Sequence, residues 1–164
     1  VWSAVSQVAE SALTRFIAMR EVEGARMRED VLSRADTIRN AVALVEEKSP
    51  ETVRAHMEKV EARRRDLLNG VPVDEARLLN EAAVYADKVA VAEETVRLCS
   101  HLDQLEQLLN SSEAIGRKLD FLIQEFNREA NTIASKANDY TLAQIVVEIK
   151  AEIEKIREQI QNVE

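Results

Sequence analysis

Val146-Val147-Glu148-Ile149-Lys150-Ala151-Glu152-Ile153-Glu154-Lys155-Ile156-Arg157-Glu158-Gln159-Ile160-Gln161-Asn162-Val163 is the stretch that decides the fold class. Its apolar residues Val146, Ile149, Ile153, Ile156, Ile160 and Val163 recur at alternating intervals of three and four, the heptad seam of a helix that packs on other helices. Ile at both seam positions disfavours a parallel dimer and favours three or four strands. Self-association through the seam is therefore the expectation, with an ordinary antiparallel hairpin inside one subunit as the alternative. Thr141 and Gln144 have the spacing of a capping box, which places the helix start near Leu142.

Composition carries the helical reading to the rest of the chain. The 164 residues are 46% hydrophobic but only 4% aromatic, with three Gly and two Pro. A sheet needs β-branched and aromatic runs separated by many turn residues, and these are missing. The expected fold is all-α, an elongated bundle of about five helices with helical hairpins and the heptad-patterned helix at the C-terminus. Helical spacing of Val5, Val8, Ala12 and Phe16, then Val31, Ala35, Ile38, Val42 and Val45, predicts a helix over about 3–48 with a weak point near Gly24. Ser49-Pro50-Glu51 reads as an end followed by a new start, with Pro50 at the first helical position. A second helix over 50–68 stops at Asn69-Gly70. Residues 1–70 are thus expected to form a long antiparallel hairpin. Val71-Pro72-Val73 connects them to a helical domain over 71–164, in which Asp74 caps a helix to about Leu109, Asn110-Ser111-Ser112 breaks the pattern, and a further helix covers about 115–136. Beginning at Val1 rather than Met, the chain reads as part of a longer protein, with Trp2 where a preceding domain packs.

The net charge of −8 argues against a general nucleic-acid binder, since phosphate binding relies on clustered Lys and Arg. Arg63-Arg64-Arg65 is the densest positive run, but three adjacent residues spread over about 200° of a helix and read as a solvated face. Cys99 is the only cysteine. It reads as a small buried apolar residue in a reducing compartment and argues against a structural zinc site. No apolar run approaches the roughly 20 residues that span a bilayer, and no leader precedes the first helix.

Two helices carry the informative polar residues. In 116–136, Leu119, Leu122, Ile123, Phe126, Ala130, Ile133 and Ala137 share a core face. Arg117, Gln124, Arg128, Asn131 and Ser135 lie opposite, with Phe121 beside Arg128, while Lys118, Glu125, Glu129, Thr132 and Lys136 line one flank. A helix needing only solubility would use Glu and Lys there. Amides and hydroxyls next to Arg and Phe suit recognition of sugar-phosphate and bases, and equally suit bonding to a neighbouring helix or subunit. In the preceding helix Glu94, Arg97 and His101 lie near one stripe, and Glu93 can pair with Arg97 at i+4. His101 beside a carboxylate could handle a proton near neutral pH, although a lone His is more often a structural hydrogen-bonder. Glu94 and His101 are about 10 Å apart along the axis, so a site needs another helix as well.

These blocks are recognisable. Gly116-Arg117-Lys118-Leu119-Asp120-Phe121, Gln124-Glu125-Phe126-Asn127-Arg128-Glu129, Asn131-Thr132 and Ser135-Lys136, with the closing Val147-Glu148-Ile149-Lys150 and Ile156-Arg157-Glu158-Gln159-Ile160, closely resemble the C-terminal region of the bacterial YicC-like family. Ala92-Glu93-Glu94, Arg97-Leu98, Ser100-His101 and Ala18-Met19-Arg20-Glu21 match as well. The resemblance covers most of the chain and implies a cytoplasmic endoribonuclease that cuts RNA with a divalent metal inside a hexamer enclosing an RNA channel. It also implies that the family's N-terminal half is absent here. Ala90 stands where the family usually has an acid, and Thr95 where it usually has Leu.

On that resemblance, RNA would be held by Arg97, Arg117, Gln124, Arg128, Asn131, Ser135 and Lys136. A divalent Mn²⁺ or Mg²⁺ would be held by carboxylates among Glu93, Glu94, Asp120, Glu125 and Glu129, since hard cations prefer oxygen ligands. His101, Glu94 and Glu125 would act in catalysis. The rival expectation is a non-catalytic homo-oligomerisation scaffold whose RNA contacts lie in the missing half. A third is a protein-binding adaptor using the apolar stripes of the first helices.

Overall fold

The computed structural model describes residues 2–68, 75–111, 113–137 and 139–161, excepting the side chains of 66–68, 75 and 78. The described residues form five helices: α1 (Trp2–Leu68), α2 (Glu75–Val89), α3 (Ala92–Leu109), α4 (Gly116–Lys136) and α5 (Tyr140–Ile160). The all-α expectation holds. The connector with Val71, Pro72 and Asp74, together with Val163, lies outside the described residues.

The middle of α1 closes a four-helix bundle with α3, α4 and α5. Arg34 bonds Glu152 at 3.0 Å, while Arg39 reaches Asp103 at 2.7 Å, and Arg28 meets Asn110. Numbers rise along one helix as they fall along its neighbour, so adjacent helices run antiparallel, the up-down-up-down arrangement of short-looped bundles. One cluster fills the interior: Val31, Ile38, Val42 and Val45 from α1, Leu98, Leu102 and Leu105 from α3, Phe126 and its neighbours from α4, and the Ile row of α5. The core thus joins residues on both sides of residue 70. All the predicted core positions of α4 are buried, with Ala137 partly so. Thr95 sits fully buried on the α3 core face, where its hydroxyl donates to the Ala92 carbonyl at 3.1 Å.

Four local expectations are corrected. First, α1 runs through Ser49-Pro50 without a break, so the hairpin expected within 1–70 is absent. An interior Pro costs about 3 kcal/mol, but here tertiary contacts grip the helix on both sides: the bundle before Pro50, and α2 after it. His56 stacks on Tyr85 at 3.7 Å, and Arg64 pairs with Glu81 at 3.3 Å, so the hairpin that does form joins the end of α1 to α2. Gly24, likewise, interrupts nothing. Second, the single helix expected over 74–109 is two, parted at Ala90-Val91. Val89 and Val91 are both buried. Two residues apart on one helix they would point about 200° away from each other, and the break lets both face inward. Third, the N-cap of α5 is Asp139 rather than Thr141: its carboxylate accepts from the Thr141 and Leu142 N–H groups at 2.8 and 3.2 Å. Those bonds, the Leu142 one foremost, hold the Asp139 carboxyl below its ordinary value.

Fourth, the α5 seam is not a free surface. Val146, Ile149, Ile153, Ile156 and Ile160 are at most 4% exposed, covered by α1 and α4 of the same chain. A heptad pattern reports a helical partner but not whose helix it is, and here the intramolecular alternative is the one realised. The N-terminal third of α1 is left uncovered, with Trp2, Val5, Val8, Phe16 and Met19 all more than half exposed.

Candidate functional site

The α3–α4 pair builds the site. Glu93 and Glu94 occupy the first turn of α3, where the helix dipole favours acids. From there Glu94, Arg97 and His101 form a stripe facing α4. The antiparallel register sets Glu94 against Lys136, Arg97 against Glu129, and His101 against Glu125. The second helix that the His101–Glu94 separation required is therefore α4.

One end of this seam is electrostatically closed. Glu94 is 3% exposed, and one of its oxygens accepts from the Lys136 ammonium at 2.7 Å, with Arg97 at 3.7 Å. Burial pushes its carboxyl up, but the Lys136 bond, its own backbone N–H and the two cations outweigh that and hold it below the ordinary glutamate value. Arg97 bridges three acids, Glu93 at 2.6 Å, Glu129 at 3.2 Å and Glu94. Burial opposes its charge, yet Glu129 and Glu93 raise its pKa overall. Glu93 is exposed and turned to Arg97, away from the deeper carboxylates.

The other end is open. His101, Glu125 and the buried Glu129 bring one ligand atom each to within 4.8 Å of one another. His101 Nε2 lies 4.0 Å from Glu125, whose other neighbour is the exposed Arg128 at 3.6 Å. His101 Nδ1 is buried without a hydrogen-bond partner, as is Glu94 Oε2, and with Arg64 Nη1 these are the three such atoms among the described residues. Buried polar atoms are nearly always paired, so His101 Nδ1 is a ring nitrogen for which the described residues supply no partner.

The donor set fits a divalent ion. Ligand atoms about 2.1 Å from one metal lie about 3.0 Å apart when cis and about 4.2 Å when trans. A span of 4.8 Å therefore needs small rotamer adjustments. One imidazole with two carboxylates suits Mn²⁺ better than Mg²⁺, which prefers oxygen alone. Of the acids expected as ligands, the structure gathers Glu125 and Glu129, the latter also paired with Arg97 at 3.2 Å, adds His101, and leaves Glu93 and Glu94 with Arg97 and Lys136 alone. Asp120 is exposed on the opposite flank of α4.

The expected RNA-binding residues divide in the same way. Arg97 and Lys136 are engaged with buried acids. Gln124, Arg128 and Asn131 line a groove toward α5 with Asp120, Arg157 and Gln161, and the last two had no place in the sequence expectation. Ser135 is exposed and donates to the Thr132 carbonyl at 2.8 Å, which occupies its hydroxyl within the helix. Arg117 lies beyond His101 on the α3 side, in a pocket with Phe121, Gln104 and Gln107. Periodicity within one helix could not pair these glutamines with α4; only the register of the two helices does so.

Residues 45–164 match the family model described as "Endoribonuclease YicC-like, C-terminal". The chain is 46% identical over 165 aligned residues to a protein of Clostridioides difficile (strain 630) named probable endoribonuclease YicC, covering 100% of the chain and 56% of that protein. It is 38% identical over 156 residues to a protein of the same name from Haemophilus influenzae Rd, covering 94% of the chain and 53% of that protein. The chain therefore spans about half the length of these curated relatives. With the model matched across most of its length, and every residue of the α3–α4 seam inside the match, this chain belongs to the YicC-like endoribonuclease family, whose C-terminal region it carries.

Proposed function

We propose that this chain is the part of a cytoplasmic endoribonuclease that binds RNA and cleaves it with a divalent ion, Mn²⁺ in preference to Mg²⁺, held by His101, Glu125 and Glu129. The observation that carries the reading is the convergence of those three side chains at the open end of the α3–α4 seam, beside an exposed arginine. The single, partly buried Cys99 fits a reducing compartment.

The roles sort by burial. Lys136 and Arg97 neutralise Glu94 and Glu129, which lets a carboxylate sit within the fold next to the substrate surface. Arg128 and Arg117, both exposed, bind RNA phosphates, and Gln124 and Asn131 donate to or accept from sugar and base edges. A bound ion supplies charge stabilisation at the scissile phosphate and lowers the pKa of water. Glu125 would accept a proton from the attacking group at the carboxylate oxygen that does not face the ion, and His101 would hold the ion through one ring nitrogen.

The test is cleavage of a labelled structured RNA by this chain and by a full-length relative, side by side, with Mn²⁺, Mg²⁺ or EDTA. Metal-dependent cutting by the chain, lost in Glu125→Gln, supports the reading. Cutting by the relative alone, unaffected by the equivalent change, removes the site from these helices.

A second observation favours an assembly role alongside the first. The exposed apolar stripe of α1 from Trp2 to Met19 is a surface through which copies of the chain can associate, now that the α5 seam is consumed within the bundle. Replacing Phe16 and Met19 by Ser should lower the mass seen by light scattering; an unchanged mass argues against this surface.

A further inference from the structure

Beyond His101, the α3–α4 seam continues into a cavity of about 440 Å³ lined by Gln104, Gln107 and Leu108 from α3 and Arg117, Lys118 and Phe121 from α4. That volume is within the range of small-ligand sites. Phe121 is 59% exposed, a large aromatic left on the surface of a helix whose other large apolar residues are inside. Lys118 is engaged by Glu113 at 2.9 Å, whereas Arg117, Gln104 and Gln107 have no side-chain partner among the described residues. The cavity therefore presents an aromatic face, an uncommitted guanidinium and two uncommitted amides.

We propose that this cavity holds one unpaired nucleobase of an RNA strand, stacked on Phe121, with Gln104 and Gln107 reading its edge and Arg117 on its phosphate. The proposal rests on the RNA-cleavage reading above and deepens it. Unpaired bases are recognised by stacking on aromatic or guanidinium planes and by amide hydrogen bonds to their edges. Gln104 is one turn from His101, an axial rise of about 4.5 Å, and Phe121 is one turn from Glu125, about 6 Å. Both offsets are about one helical turn, so the pocketed base belongs to a nucleotide close to the phosphate at the His101–Glu125–Glu129 cluster. The cavity would then select strands that are single-stranded beside the cut.

The experiment is binding of a short fluorescent single-stranded oligoribonucleotide to this chain in EDTA, where cleavage plays no part, and of the same oligomer with abasic nucleotides. Phe121→Ala should weaken binding of the intact oligomer about ten-fold, and Phe121→Trp should keep it within about two-fold. On the abasic oligomer, Phe121→Ala and the unaltered chain should bind alike. Phe121 is exposed, so the variants should keep the native circular dichroism. Equal binding of the intact oligomer by Phe121→Ala, an undiminished gap on the abasic one, or no saturable binding by the unaltered chain would each overturn the pocket. If Phe121→Ala binds normally while metal-dependent cleavage persists, the pocket fails and the cleavage reading stands. If binding behaves as expected but no RNA is ever cut, the cleavage reading is the one that fails.

Discussion

The two ends of the α3–α4 seam use the same residue types to opposite effect. At one end Glu94 is buried against Lys136 and Arg97, and its charge is balanced inside the fold. At the other, Glu125 and Glu129 converge with His101, Glu129 keeping a pair with Arg97 on its inner side while the arginine nearest Glu125 is largely in solvent. Identical glutamates on adjacent helices are thus a structural ion pair in one place and a candidate ligand set a few turns away. The difference lies in which cation the antiparallel register delivers. A long, flexible lysine folds in at the Glu94 end, and an imidazole, which can ligate, takes the corresponding place at the other.

That contrast can be broken by mutation. The largest expected effect is at the open end: Glu125→Gln or His101→Ala should lower metal-dependent cleavage by about 100-fold or more, with the urea midpoint nearly unchanged. A comparable loss of stability would mean that the open end, too, is a structural pair.

Lys136→Ala should do the reverse. Removing one partner of a buried ion pair costs about 3 kcal/mol, reduced toward about 2 because the Lys136 side chain is 26% exposed. Urea unfolding reads the loss, and cleavage per folded molecule should change only a few-fold. A neutral effect on stability would show that Glu94 finds other partners.

A smaller, pH-dependent effect sharpens the assignment. The Glu94 carboxyl titrates below its unfolded value. Its contribution is therefore fully present above the ordinary glutamate pKa of about 4.3 and is lost as pH falls through the lower folded value. Stability should drop between pH 6 and pH 3 by more in the unaltered chain than in Glu94→Gln, by urea titration at each pH. Parallel curves would refute the linkage.

The fold was legible wherever a helix could be judged from its own pattern. The α4 core face, the all-α class and the polar outer residues all follow from 3.6-residue spacing. Pro50 misled, because a local stop signal gave way to packing on both sides of it. The α5 seam misled about its partner, since periodicity does not distinguish α1 of the same chain from α5 of another. The site was half legible for the same reason: the stripes of α3 and α4 could each be read, but assigning Lys136 to Glu94 and Glu125 to His101 requires knowing how two helices are aligned. Asp120, one turn before Gln124, shows how close that ambiguity runs.

On the proposed reading, His101, Glu125 and Glu129 hold a divalent ion while Glu94 does not. Calorimetric titration of Mn²⁺ into the chain, beside Glu125→Gln and Glu94→Gln, tests it most directly. One ion per chain is expected, lost in Glu125→Gln and retained in Glu94→Gln. No saturable binding, or loss in Glu94→Gln with retention in Glu125→Gln, would contradict it.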